Sequence, residues 1–155
     1  MENQYTILFR TAYGDGFKAG LLAGIKPMIV KPGDITINGK PVTDQTYVIQ
    51  DGMCGLAWAE VSTSVSEVGR KFIKSCKEAG FAFDSRKEYE DWVNGHSGES
   101  RPESYLLRDD DHHTAYNLYV DEFNQSMGRK LEFARAFCGT LSAFGVPCLY
   151  HNWVD

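Results

Sequence analysis

No run in this chain approaches the ~20 consecutive apolar residues that a membrane-spanning helix needs, and Met1-Glu2-Asn3-Gln4-Tyr5 lacks the basic and apolar regions of a secretory leader. A protein made inside the cell, with no membrane partner, is expected. A basic excess is missing as well: 16 Lys and Arg stand against 21 Asp and Glu, a formal charge of -5 with a pI near 5.3. Such a surface repels a phosphate backbone, which argues against nucleic acid as a partner. The surplus acid lies after residue 50, where seventeen acids face eleven bases. Cysteine is sparse and scattered. Cys54, Cys76, Cys138 and Cys148 form no CxxC pair, so a zinc cluster or redox dithiol is disfavoured and the thiols read as small core residues kept reduced.

What the chain does have is apolar bulk. Its 155 residues are 43% hydrophobic and 13% aromatic, enough for one packed domain and too few for two ordinary ones. Residues 1–50 hold six of the fifteen glycines and three of the five prolines, so short elements and a β-rich N-terminal extension are expected there. The pattern predicts a strand over 5–9, a short Gly-interrupted helix over 17–25, a hairpin over 35–42 turning on Asn38-Gly39, and a further strand over 47–49.

Residues 51–155 alternate apolar runs with capped helices. A strand over 56–61 leads to a helix near 66–79, with Ser64 and Glu67 at capping-box spacing and Gly80 as its stop. A strand over 116–120 leads to a helix near 126–144 whose stripe is Met127, Leu131, Ala134, Cys138 and Leu141; Gly145 and Pro147 end it before a last strand over 148–154. The polar stretch 84–114 reads as a mobile insertion, with a helical turn or two over 87–93 in which Trp92 is either an apolar peg or a contact residue for a partner. The expected class is α+β: a ferredoxin-like β-α-β-β-α-β sandwich over 51–155, with an added N-terminal β-rich segment over 1–50, in a single domain over 1–155. Two helices cover one sheet face in that arrangement. The other face is left to the N-terminal segment or to a partner chain, because an uncovered apolar sheet aggregates.

Four groups of residues bear on chemistry. Gly14-Asp15-Gly16-Phe17-Lys18-Ala19-Gly20 has the look of a phosphate-cradling loop, but its glycine spacing is off by one from the dinucleotide fingerprint. Cys54, beside Gly55, is a candidate nucleophile if His112, His113, His96 or His151 serves as its base; a buried place at the mouth of a strand is the competing reading. Asp109, Asp110, Asp111, His112 and His113 have the composition of a metal site, yet in an extended segment only alternate members such as Asp111 and His113 can share an ion, and two ligands are too few. No metal and no cofactor are therefore expected. Asp121 and Glu122 are adjacent at a strand end and point to opposite faces, which weakens an acid–base pairing. Trp92, Asp109, Asp110, Asp111, Asp121 and Glu122 are assigned instead to a partner surface.

Asp51-Gly52-Met53-Cys54-Gly55-Leu56-Ala57-Trp58-Ala59, together with Phe123-Asn124-Gln125-Ser126-Met127, Arg129-Lys130 and Ala134-Arg135-Ala136, resembles a family of small tailed-bacteriophage proteins to which no activity is attached; the likeness spans about the last hundred residues. It implies a viral genomic origin and carries over no catalytic role. The expected function is that of a non-enzymatic phage protein acting by protein–protein binding, virion-associated or self-assembling, in the host cytoplasm or the virion. Its partner is then itself, as a homo-oligomer, or a virion or host protein. The alternatives are an accessory factor that binds and inhibits a host defence protein, and a thiol-dependent hydrolase or transferase using Cys54.

Overall fold

Asn3 opens a 19-residue helix, α1 (Gln4–Leu22): its side chain accepts the Tyr5 amide at 2.8 Å and its carbonyl accepts the amides of Thr6 and Ile7. The strand expected over 5–9 is thus the first turns of a helix, and the helix expected over 17–25 is its continuation. Thr6, Phe9, Ala12, Gly16 and Gly20 fall three or four residues apart and are all buried, so one stripe of α1 faces inward. Small residues on that stripe let it lie close to α4 (Met127–Ala143). A methyl group at Gly16 would stand 3.0 Å from the Phe133 ring, and one at Gly20 would stand 2.3 Å from the Phe123 ring. Gly16 and Gly20 of the supposed phosphate loop are therefore helix-packing residues, Gly14 faces open space, and the segment is helix and not loop. Arg129 of α4 closes the contact by donating to the Gly20 and Leu21 carbonyls at 3.0 and 3.2 Å, in the last turn of α1, where carbonyls run out of i+4 amides.

The computed structural model describes residues 3–25, 27–34, 36–41, 45–49, 52, 54–99, 101, 105–123 and 126–154. Ile35 and Val42 of the expected hairpin, and the expected turn residue Asp51, lie outside them. Of the N-terminal β-rich extension, the structure keeps two ribbons. β1 (Met28–Val30) pairs antiparallel with β4 (Tyr47–Ile49), and β2 (Thr36–Ile37) pairs with β3 (Lys40–Pro41) around Asn38 and Gly39, whose φ angles of 52° and 77° are those of the turn that Asn-Gly favours. The β-rich reading fails over residues 4–22 because burial against α4 outweighs the β propensity of Tyr5, Thr6, Ile7 and Phe9.

β5 (Gly55–Ser62) is the second strand from one edge of a five-stranded sheet ordered β6-β7-β8-β5-β9, with β6 (Ala82–Phe83), β7 (Leu107–Asp109), β8 (Ala115–Tyr119) and β9 (Cys148–Val154). Every neighbouring pair is antiparallel except β6–β7, which is parallel. The class is α+β, as expected. The sheet departs from a plain β-α-β-β-α-β sandwich by an extra edge strand, β6, and an extra helix, α3 (Arg86–Gly95), both within the stretch read as a mobile insertion. Ser85 caps α3 by accepting the Glu88 amide at 3.2 Å. That segment was opaque to periodicity because α3 has no buried residue and docks through its half-buried Tyr89 and Trp92 against Phe83.

α2 (Glu67–Glu78) is capped by Ser66, whose hydroxyl accepts the Gly69 amide at 3.1 Å, while Ser64 meets Ser62 instead. The expected box was two residues early, and Val65, just before the cap, is exposed. Gly80, with φ +82°, ends the helix as expected. Ala57, Ala59, Val61, Leu107 and Leu118 share one sheet face and join a single core with Phe72 and Cys76 of α2, Phe133, Phe137 and Leu141 of α4, and Phe9 of α1. No helix among the described residues is long and apolar enough to cross a membrane.

Candidate functional site

Side chains alternate along a strand, so burying Ala57, Ala59 and Val61 under the helices turns Leu56, Trp58 and Glu60 to the opposite face. Register sets Trp153 beside Leu56, His151 and Tyr119 on either side of Trp58, and Leu149 and Asn117 on either side of Glu60. α3 packs at the β6 edge of this face, through Phe83, and neither N-terminal ribbon makes an extended contact with the sheet among the described residues. Leu56, Leu149 and Trp153 consequently stand 47%, 63% and 65% exposed. At the centre the Trp58 ring stacks on His151 at 5.3 Å and lies 6.0 Å from Tyr119, over which the Arg108 guanidinium sits at 5.4 Å. Glu60 Oε1 is 3.5 Å from His151 Nε2 without forming a hydrogen bond. β9, on the sheet's outer edge, runs seven residues without a charge or a proline.

A second concentration of polar groups lies where β6, β7 and β8 end. Asp84 follows β6, Asp109 is the last residue of β7, and Tyr116 is paired with Asp109 in β8. The Tyr116 hydroxyl and Lys77 Nζ, the latter at 2.5 Å, donate to the two oxygens of Asp84. Partial burial pushes the Asp84 carboxyl up, but these bonds and the Lys77 charge outweigh it and hold it below the usual carboxylate range; burial and Asp84 together push the Tyr116 phenol up. In the turn beyond β7, Asp110 accepts from the amides of His112 and Thr114 and from the Thr114 hydroxyl, which together overcome desolvation and lower its carboxyl to about 2. Asp84 and Asp109 line a cavity of about 270 Å³ with Phe83, Tyr89, Arg108 and Asp111.

The thiol reading loses its base. Cys54 is exposed one residue before β5 and bridges to Ser126, whereas His112 and His113 precede β8, whose first residue pairs with Ser62 at the far end of β5. Eight strand residues, about 27 Å, lie between. His151 is paired with Trp58, four residues along from Cys54, and His96 stacks on Trp92 at 4.0 Å with Nδ1 on the Trp92 carbonyl. Cys54 is therefore expected to react with iodoacetamide in the native protein at the rate of an unassisted thiol, while Cys76 and Cys138, both buried, react only after unfolding. Mass spectrometry of the labelled peptides checks this, and accelerated labelling of Cys54 near neutral pH contradicts it.

The expected partner surface is also redistributed. Trp92 is a peg, its ring lying where a side chain on Gly80 would stand and facing Phe83 and Arg101. The Asp109 side chain is 2% exposed and not a solvated loop acid. Glu122 Oε1 accepts the Tyr13 hydroxyl at 3.3 Å, tying the chain after β8 to α1, and Asp121 and Asp111 remain exposed. Neither Asp121 nor Glu122 lies in the first turn of α4. Asp84, Lys77 and Tyr116 escaped the sequence reading because they come from three elements. Leu56, Trp58, Leu149 and Trp153 were signalled by period-two alternation on β5 and β9. Compared with protein-family models, curated proteins and solved structures, the chain matches none.

Proposed function

We propose that this chain is a non-enzymatic protein of a tailed bacteriophage that acts by protein–protein binding, first of all to copies of itself, as a self-assembling or virion-associated component in the host cytoplasm or the virion. The observation that carries the reading is the bare sheet face and edge: Leu56, Leu149 and Trp153 are exposed side by side where a sheet of this kind needs cover. β9 has none of the lysines, prolines or bulges that keep edge strands from pairing with another chain. A second copy suits it well. Antiparallel pairing of β9 with β9 about a two-fold axis at His151 sets Leu149 against Trp153 of the other copy and opposes no like charges, because residues 148–154 carry no acid and no Lys or Arg. The separation of Cys54 from every imidazole it needs supports the non-enzymatic half of the reading.

Light scattering behind size exclusion tests it. The wild type is expected to elute with a multiple of the 17.4 kDa chain mass at micromolar concentration, and Leu149→Lys to weaken the association about tenfold or more by placing a charge in the interface. A 17.4 kDa species at every concentration overturns self-binding and turns the same face toward a host or virion protein.

A further inference from the structure

We propose that Asp84, Asp109 and His113 bind a divalent transition-metal cation. One ligand atom from each, two carboxylate oxygens and a ring nitrogen, lie within 4.8 Å of one another. An ion with ligands at about 2.0–2.2 Å closes that spacing through side-chain torsions. The three residues arrive from consecutive positions across the sheet: Asp84 just after β6, Asp109 at the end of β7, and His113 in the turn that enters β8. No single stretch of sequence could display the set.

An independent observation points to a ligand. The Asp109 side chain is 2% exposed; its Oδ2 makes no hydrogen bond and has His113 Nδ1 within ion-pairing distance. A buried carboxylate oxygen without an aligned hydrogen bond is costly. A cation bound by both atoms, with the exposed His113 ring turned back to admit it, removes that cost by taking the charge of the carboxylate and the lone pair of the imidazole. Oδ1 of Asp109 is already engaged by the His113 amide at 3.1 Å, which leaves Oδ2 as the ligand atom. Asp84 is prepared in a different way. Lys77 and Tyr116 donate to its two oxygens, the outer hydrogen bonds that commonly orient a metal-binding carboxylate, and each oxygen keeps a second lone pair. Lys77 offsets the charge of Asp84 but lies near no oxygen of Asp109 within ion-pairing distance. Mixed oxygen and imidazole ligation suits Zn²⁺ or Mn²⁺ better than Mg²⁺ or Ca²⁺, which prefer oxygen alone. Three protein ligands leave further positions for water, and the adjoining cavity of about 270 Å³ gives them room.

Isothermal titration and thermal unfolding of the chelator-treated full chain, with ZnCl₂, MnCl₂ and MgCl₂ as probes, test the site. One equivalent of Zn²⁺ or Mn²⁺ is expected to bind and to raise the unfolding midpoint by mass action, with Mg²⁺ weaker. His113→Ala, at an exposed side chain whose loss the fold tolerates, is expected to weaken binding about tenfold or more, and Asp109→Asn to do the same. His112→Ala and Cys54→Ser leave it unchanged. Absence of stoichiometric binding overturns the assignment, as does binding that survives His113→Ala or is lost in His112→Ala or Cys54→Ser. If Asp109→Asn does not fold, His113→Ala decides alone. The oligomeric state plays no part in these outcomes, so they stand apart from the test of self-assembly.

Discussion

Phe9→Ala is expected to lower the unfolding free energy by about 3–5 kcal/mol, the usual cost of removing a fully buried phenylalanine. Phe9 is 0% exposed and is the residue through which α1 reaches the rest of the core. Its ring stacks on Phe81 at 4.8 Å and meets Tyr105 and Phe137 edge-on at 5.3 and 5.9 Å. Those partners come from the segment after α2, the segment before β7, and α4, so the hole left by alanine is walled by three elements that cannot all collapse into it. Urea denaturation followed by circular dichroism measures the loss. A cost under about 1 kcal/mol, normal for a surface appendage, would mean that residues 4–22 are not docked and that the N-terminus is a separate extension after all.

The second large effect has the opposite sign to what helix propensity alone suggests. Replacing a helical glycine by alanine usually stabilises by about 1 kcal/mol. At Gly69, in the first turn of α2, the added methyl would stand 2.3 Å from the Ser62 carbonyl oxygen. That oxygen belongs to the backbone, and the Ser62 amide is itself bonded to the Pro147 carbonyl at 3.1 Å, so it cannot swing aside as a side chain can. α2 must then pull away from the end of β5. Overpacking of this kind costs about 1–3 kcal/mol or more, so Gly69→Ala is expected to destabilise by about 1–2 kcal/mol once propensity is subtracted. Gly139→Ala in α4 is the control: nothing lies within 4 Å of its added methyl, so it is expected to stabilise by about 0.5–1 kcal/mol. Midpoints of thermal unfolding for the two variants should move in opposite directions. Two shifts of the same sign would refute the steric account of Gly69.

Both predictions turn on contacts between residues distant in sequence, and there the reading of the chain was weakest. α1 was misread because Tyr5, Thr6, Ile7, Leu8 and Phe9 are β-prone as a string, while the glycines that make α1 a packing helix resemble breakers when their partners Phe123 and Phe133 are out of view. The metal ligands were half seen. His113 was considered with Asp111, its neighbour by alternation, but the turn after β7 folds back with φ values of 70° at Asp111 and 60° at His113, and so brings His113 to Asp109 instead. Asp84 comes from another strand, and no local spacing announces it.

By itself the sequence determined the local grammar: the Asn38-Gly39 turn, the strand over 56–61, the helix that Gly80 ends, the helix begun near Ser126, and the final strand. Each depends on backbone preferences and periodicities contained within a few residues. Tertiary structure alone decided that α1 is a helix, which sheet face stays bare, where Cys54 lies relative to the histidines, and that Asp84, Asp109 and His113 meet. Burial and strand register join residues tens of positions apart, and the free energy of those junctions exceeds the local preferences that a linear reading can weigh.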